Sequence, residues 1–313
     1  VSGLRFFFWD SQFGRFFNNG PIKGKGDLSF FLHTSLWAFI PWSIVLLLAV
    51  INMVRRKNST VNSTRWIPGG TVLISFLMFS VSKFQLPHYI VILFPHFAMM
   101  TASYLVEAVS EKALKRINVF QTVLFVLLVA AISWIIVIYS FNSYVWFLLV
   151  LGAIAVPALF YKPGNMLLAI LKKNIGFALL LAIFLNCLFY PSLLRYQAGM
   201  MAGKWLNERP VTQEVIQYKS LSSSFDFYYN GKINYKNPTA AAINNLSGDS
   251  LLLFTALTDV KDINPDSVNI NILKMFPYFH VSQVNGKFID IRTRQETLEY
   301  MAIVLITRKT NSK

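Results

Sequence analysis

The chain has 313 residues, of which 55% are hydrophobic and only 14% charged, and its mean hydropathy is +0.49. That composition excludes an ordinary soluble domain. The net charge of +15 would suggest a nucleic-acid partner, but residues 1–194 hold 15 Lys+Arg against 4 Asp+Glu and residues 195–313 hold 14 against 10. The excess belongs to the apolar half, where basic residues set topology and meet anionic lipid. No nucleic-acid-binding signature accompanies it, so no nucleic acid is expected as a partner.

In chain order, 1–27 is not membrane-spanning. Leu4–Trp9 is apolar and aromatic and suits a segment lying in the membrane interface. A Gly- and Lys-containing loop follows and ends at Asp27. The runs Leu28–Val54, Trp66–Ser82, Phe84–Val106, Ile117–Tyr161 and Asn174–Leu194 lack Asp, Glu, Lys and Arg altogether. Each is long enough, or nearly so, to cross a bilayer core. Ile117–Tyr161 is too long for one span, and Asn142-Ser143 near its middle reads as a tight turn. The expectation is about six spans within 28–194. Cys187 lies inside the last of them and reads as a small apolar packer.

The loops at 55–65, 107–116 and 162–173 fall on one side and hold ten Lys+Arg. By the positive-inside rule that side is cytoplasmic, which makes the protein a multi-pass component of the cytoplasmic (inner) membrane. The N-terminal segment 1–27, the stretch Ser82–Tyr89, Asn142-Ser143 and everything after residue 195 are then outside. Residues 195–313 read as a small soluble α/β domain on the outer face, with strands at Phe225–Tyr229, Leu251–Thr255, Tyr278–Val284 and Ala302–Thr307. Helices are expected at Pro238–Leu246 and Thr293–Met301. The fold class is therefore mainly α, a polytopic membrane helix bundle with a C-terminal α/β extramembrane domain.

The stretch Ser82-Lys83-Phe84-Gln85-Leu86-Pro87-His88-Tyr89 is a polar knot between two apolar runs. It places an ammonium, an amide, an imidazole and a phenol at one membrane surface. A phosphate there needs a cation and donors in place of water. Lys83 supplies charge, Tyr89 a donor, and His88 a second donor or proton carrier. The plainer alternative is an interfacial anchor, since Lys and Tyr both snorkel at bilayer edges. Asp10 and Arg15 flank the aromatic N-terminal segment, where an arginine can take a phosphate bidentately and an ion pair or cap is the plainer role. No His/Cys/carboxylate cluster has metal-site spacing. Carboxylates able to act as a base on the outer side are Asp10, Asp27, a residue of the tail, or one upstream of Val1.

Three stretches together resemble a family. Phe8-Trp9-Asp10-Ser11-Gln12-Phe13-Gly14-Arg15-Phe16 looks like the aromatic, acidic, then Arg-Phe segment of the aminoarabinose transferase and protein O-mannosyltransferase superfamily, of GT-C type. Phe30-Phe31-Leu32-His33 through Ile40-Pro41-Trp42 looks like that family's next span. Ser82–Ile90 resembles its Lys-x-Lys-Leu-Pro-x-Tyr-Ile signature, with Gln85 in place of the second lysine. The resemblance implies a glycosyltransferase whose polyprenyl-phosphate sugar donor is bound at the outer surface. Its phosphate would be held by Tyr89, Arg15 and Lys83, with His88 beside them. The acceptor would be a lipid such as lipid A, a glycan or a protein, within surrounding membrane lipid. Asp10 stands near a region linked in some members to a divalent metal ion. The family's catalytic aspartate lies in a loop after the first membrane helix, so no catalytic residue is expected in this chain and one is expected upstream of Val1. A transporter or flippase of lipid-linked intermediates and a non-catalytic membrane scaffold are the alternatives.

Overall fold

The computed structural model describes residues 2–14, 17, 19, 24–55, 63–107, 109–141, 147–148, 150–155, 164–235, 238–244 and 250–309. The chain divides into two compact units. One comprises Val1–Leu128 with Ala153–Leu179, the other Val129–Gly152 with Leu180–Lys313.

Among the described residues, three helical runs are long and apolar enough to cross a membrane: Pro87–Glu107, Glu111–Tyr139 and Met166–Leu194. Ser43–Arg55 and Trp66–Val81 are apolar but shorter. Leu73, Ile74 and Leu77 on one helix and Leu127, Trp134 and Val137 on another are exposed. An apolar band of that extent is untenable in water and suits lipid.

The run Leu28–Val54, expected as one span, is two helices, Phe30–Ala38 and Ser43–Arg55. Pro41 is the physical reason, because it lacks an N–H and its ring crowds the preceding turn. The Ser43 hydroxyl donates to the Leu36 carbonyl across the break. The last run begins earlier than expected, at Met166, and so takes in Lys172 and Lys173. Lys173 is buried, and its ammonium donates to Asn118 Oδ1 at 2.7 Å and to the Thr122 hydroxyl. Beside it the Asn174 amide donates to Gln121 Oε1 at 2.7 Å. The expected turn at Asn142-Ser143 lies outside the described residues.

The first unit packs around Phe31, Leu46, Ile90, Leu93, Phe97 and Met100. This core joins the two halves of the broken run to the helix that follows the polar knot.

In the second unit, residues 198–308 form a five-stranded mixed sheet. The strands are β1 Glu214–Gln217, β2 Ile233–Asn234, β3 Ser250–Ala256, β4 Val268–Tyr278 and β5 Glu299–Arg308, in the order β2-β1-β3-β5-β4. β1 is parallel to β2 and β3, whereas β5 is antiparallel to β3 and β4. Period-two alternation sends Leu252, Phe254, Met301 and Ile303 into one core with helix Ala198–Asn207. It sends Leu251, Leu253, Ala302, Val304 and Ile306 into the other. Both faces are covered, which is why these strands read as near-continuous apolar runs.

Three expectations change here. Of Phe225–Tyr229, all but the extended C-cap Tyr229 is helical, in Ser223–Tyr228, because the Ser222 hydroxyl accepts from the Phe225 N–H at 3.3 Å and starts a helix that aromatic β-propensity disfavours. The strand expected at Tyr278–Val284 ends at Tyr278 instead of beginning there. The helix expected at Thr293–Met301 is a 3-10 turn, Arg294–Thr297, that leads into β5. The strands at Leu251–Thr255 and Ala302–Thr307 and a helix within Pro238–Leu246 are present.

Candidate functional site: the Ser82–Tyr89 turn

Helix Ser63–Val81 stops where its apolar pattern stops. The Ser82 N–H still bonds the Phe79 carbonyl at 3.2 Å, and its hydroxyl then donates forward to the Phe84 carbonyl at 3.1 Å. Leu86 is extended, at φ −126° and ψ 140°, as the residue before a proline prefers. Pro87 opens a 3-10 helix, Pro87–Leu93, for which its fixed φ is suited. Lys83 therefore lies in a bend, and Tyr89 in the first turn of a new helix.

The bend is held by the loop at 24–27. Gly24 lies so close to the Lys83 carbonyl that a Cβ would collide with it. Gly26 has φ +55°, and a Cβ there would come within 3.0 Å of Lys83 Cα and 3.1 Å of its Cδ. Only glycine combines that backbone with that approach. The Gln85 amide completes the seam. Its Oε1 accepts the Asp27 N–H at 2.8 Å, and its Nε2 donates to the Asp27 carbonyl at 2.9 Å and the Ser80 carbonyl at 3.1 Å. One side chain thus reproduces a two-way strand pairing across 58 positions.

Asp27 is also accounted for. Its carboxylate accepts the Ser29 N–H at 2.8 Å and the Ser29 hydroxyl at 2.9 Å. These bonds, the backbone one first, hold its pKa below the usual carboxylate value. A carboxylate so stabilised is a weaker base, which counts against Asp27 as a proton acceptor.

The structure places the expected site residues unevenly. Lys83 is exposed, with its stem lying along Gly26 and no hydrogen bond or ion pair among the described residues. His88 is exposed and Tyr89 half-buried, their rings edge-to-face at 4.9 Å. Tyr89 also faces Phe79 at 6.3 Å and packs on the core of the first unit. Lys83, His88 and Tyr89 are thus gathered in one turn. Arg15 lies outside the described residues.

Asp10 sits on a π-helical segment, Phe6–Phe13, and lines a pocket of about 390 Å³ together with Trp9, Phe13, Gly14, Phe17 and Asn19. No residue of the Ser82–Tyr89 turn lines it. Among the described residues no group of three or more His, Cys, Asp or Glu side chains is placed to hold a metal ion.

Sequence reasoning missed the role of Gln85 and the close approach of Gly24 and Gly26. The Gly-x-Gly-Asp pattern was the available signal, since two glycines before an apolar run mark a close backbone approach as readily as a flexible loop.

No family model and no curated protein matches this chain. Among solved structures it is similar to the crystal structure of ArnT from Cupriavidus metallidurans bound to undecaprenyl phosphate, with a TM-score of 0.58 and 14% sequence identity. The match covers 96% of this chain and 55% of that one, so the chain spans about half the length of the protein it resembles. The likeness establishes the fold: a helical membrane architecture with a small sheet domain.

Proposed function

We propose that this chain is the C-terminal portion of a membrane glycosyltransferase that takes a sugar from a polyprenyl-phosphate carrier. The Ser82–Tyr89 turn would hold the carrier's phosphate. Lys83 supplies the charge and Tyr89 and His88 the neutral donors, with Arg15 as a second cation from the N-terminal segment. The observation that carries the reading is Lys83: a cation seated on two glycines at the end of an apolar helix, with no partner among the described residues. Its backbone is seated while its ammonium is left uncommitted among the described residues, which suits a ligand that brings negative charge. The fold it shares with a protein solved with undecaprenyl phosphate supports the same ligand class.

The resemblance puts the chemistry of transfer on an acidic residue outside the Ser82–Tyr89 turn. The acceptor is a lipid, a glycan or a protein at the outer face, and residues 195–313 shape its approach.

The test is binding of undecaprenyl phosphate to the purified full-length protein in detergent, read by native mass spectrometry. Lys83→Ala is expected to weaken it by about 1.5–3 kcal/mol, the worth of a hydrogen bond to a charged group, which is roughly ten- to a hundredfold. Tyr89→Phe is expected to cost less, because a neutral donor is lost. Parental affinity in both variants would remove the site.

A further inference from the structure

The second unit holds a pocket of about 250 Å³ that the proposal above does not use. It forms where two apolar runs end, at Tyr139 and at Leu194, against Ile291 and Arg294 of the sheet domain. Several water volumes fit there, at about 30 Å³ each. Its wall carries Arg294, which is 7% exposed, the exposed Arg195, and the hydroxyl side chains Tyr139, Ser192 and Tyr196.

Arg294 is held from several directions. Its Nε donates to the Phe288 carbonyl at 2.9 Å. Nη2 donates to the carbonyls of Tyr139 at 3.0 Å and Ile289 at 3.1 Å, and Nη1 reaches the Tyr196 hydroxyl at 3.4 Å. The guanidinium stacks on the Tyr139 ring at 3.8 Å. All of these partners are neutral. Among the described residues no carboxylate lies within ion-pair distance of Arg294 or Arg195. Asp290, four positions earlier, is forked by Arg292 at 2.6–3.1 Å.

A clasp joining the sheet domain to the helix end would explain Arg294 alone. It leaves three features unexplained: the cavity, the second arginine at its mouth, and the Tyr139 hydroxyl, which is buried with no hydrogen-bond partner among the described residues. A buried cation whose partners are all neutral, and a lining tyrosine whose hydroxyl is orphaned among the described residues, are both satisfied by an anion. The place suits a lipid. Tyrosines at the ends of apolar spans sit at headgroup level, and arginine is the side chain that meets phosphate through a planar fork.

We propose that this pocket binds the phosphate of an anionic lipid headgroup on the membrane face that carries residues 195–313. Arg195 and the Nη1 edge of Arg294 neutralise the phosphate, and the Tyr139 hydroxyl donates to it. The site is independent of the polyprenyl-phosphate reading.

Binding of dihexanoyl phosphatidic acid, dihexanoylglycerol and inorganic phosphate is measured by native mass spectrometry on the full chain carrying Lys83→Ala, so that the other turn stays silent. Phosphatidic acid is expected to bind and the neutral diacylglycerol not to. Arg195→Gln is expected to weaken binding at least tenfold and Tyr139→Phe severalfold, with Lys232→Gln, an exposed cation elsewhere in the unit, unchanged. Arg294 is left intact, because removing it also removes the clasp. Inorganic phosphate bound with the same dependence on Arg195 would support the anion site and make free phosphate its ligand. Equal binding of the neutral lipid, or parental affinity in both Arg195→Gln and Tyr139→Phe, would overturn the proposal.

Discussion

Lys83 and Lys173 lie in the same unit and differ in what surrounds them. Lys173 is inside the helix bundle, where Asn118 and Thr122 receive its hydrogens and neutral amides pack beside it. Lys83 is outside the core, on a bend fixed by backbone, with nothing among the described residues to receive its charge. The first arrangement spends the ammonium on structure. The second preserves it for something that arrives. A cation's role is thus read from whether its hydrogens are already committed, and not from how buried it is.

The comparison is broken most directly by removing each cation's support. Lys83→Ala should give the largest loss of lipid-phosphate affinity, as above, while leaving thermal stability within a degree or so. The converse change is Asn118→Leu, which strips a partner from the buried lysine. An orphaned buried polar group costs about 1–3 kcal/mol, so the melting temperature in detergent should fall with undecaprenyl phosphate affinity unchanged. If Asn118→Leu instead weakened lipid binding and spared stability, the two lysines would have exchanged roles.

Much of the frame was legible from charge alone. Three of the runs that lack charged residues lie wholly or in large part in the long helices Pro87–Glu107, Glu111–Tyr139 and Met166–Leu194, because charge is costly within a span, whereas Leu28–Val54 is broken in two at Pro41. Lys173 was not legible as an interior residue, since its burial depends on Asn118 and Thr122, more than fifty positions away. Phe225–Tyr229 misled for a different reason: its aromatic content favours a strand, and a single serine cap outweighed it. The Ser82–Tyr89 turn was visible as a polar interruption with its lysine, histidine and tyrosine, whereas the seat beneath it was not. Arg294 was equally hidden, because its partners are main-chain carbonyls that no residue type advertises.

A smaller effect tests the seat itself. Gly26→Ala places a methyl group 3.0 Å from Lys83 Cα and forces a non-glycine residue to hold φ +55°. The left-handed backbone costs about 1–2 kcal/mol, and the contact pushes Lys83 off its position. Undecaprenyl phosphate affinity should fall by roughly five- to thirtyfold on that scale. Parental affinity would show that Lys83 works as a tethered charge and needs no seat.

The smallest expected effect separates geometry from charge. Gln85→Leu removes the bridge to the Asp27 main chain, but Asp27 is exposed and water can take over both of its groups. A net loss of about 1 kcal/mol is expected, or roughly fivefold in lipid affinity. Gln85→Lys is more informative, because the two roles of this position then carry opposite signs. It adds the second positive charge that the Lys-x-Lys signature would carry, which favours a phosphate. It also removes the only acceptor that Gln85 offers the Asp27 N–H, because an ammonium donates and cannot accept. If the bend must be held for Lys83 to work, Gln85→Lys binds undecaprenyl phosphate no more tightly than the parent and tracks Gln85→Leu. Tighter binding would mean that charge density at the turn outweighs its geometry, and that the amide at position 85 is a weaker solution to phosphate binding than the lysine it stands in for.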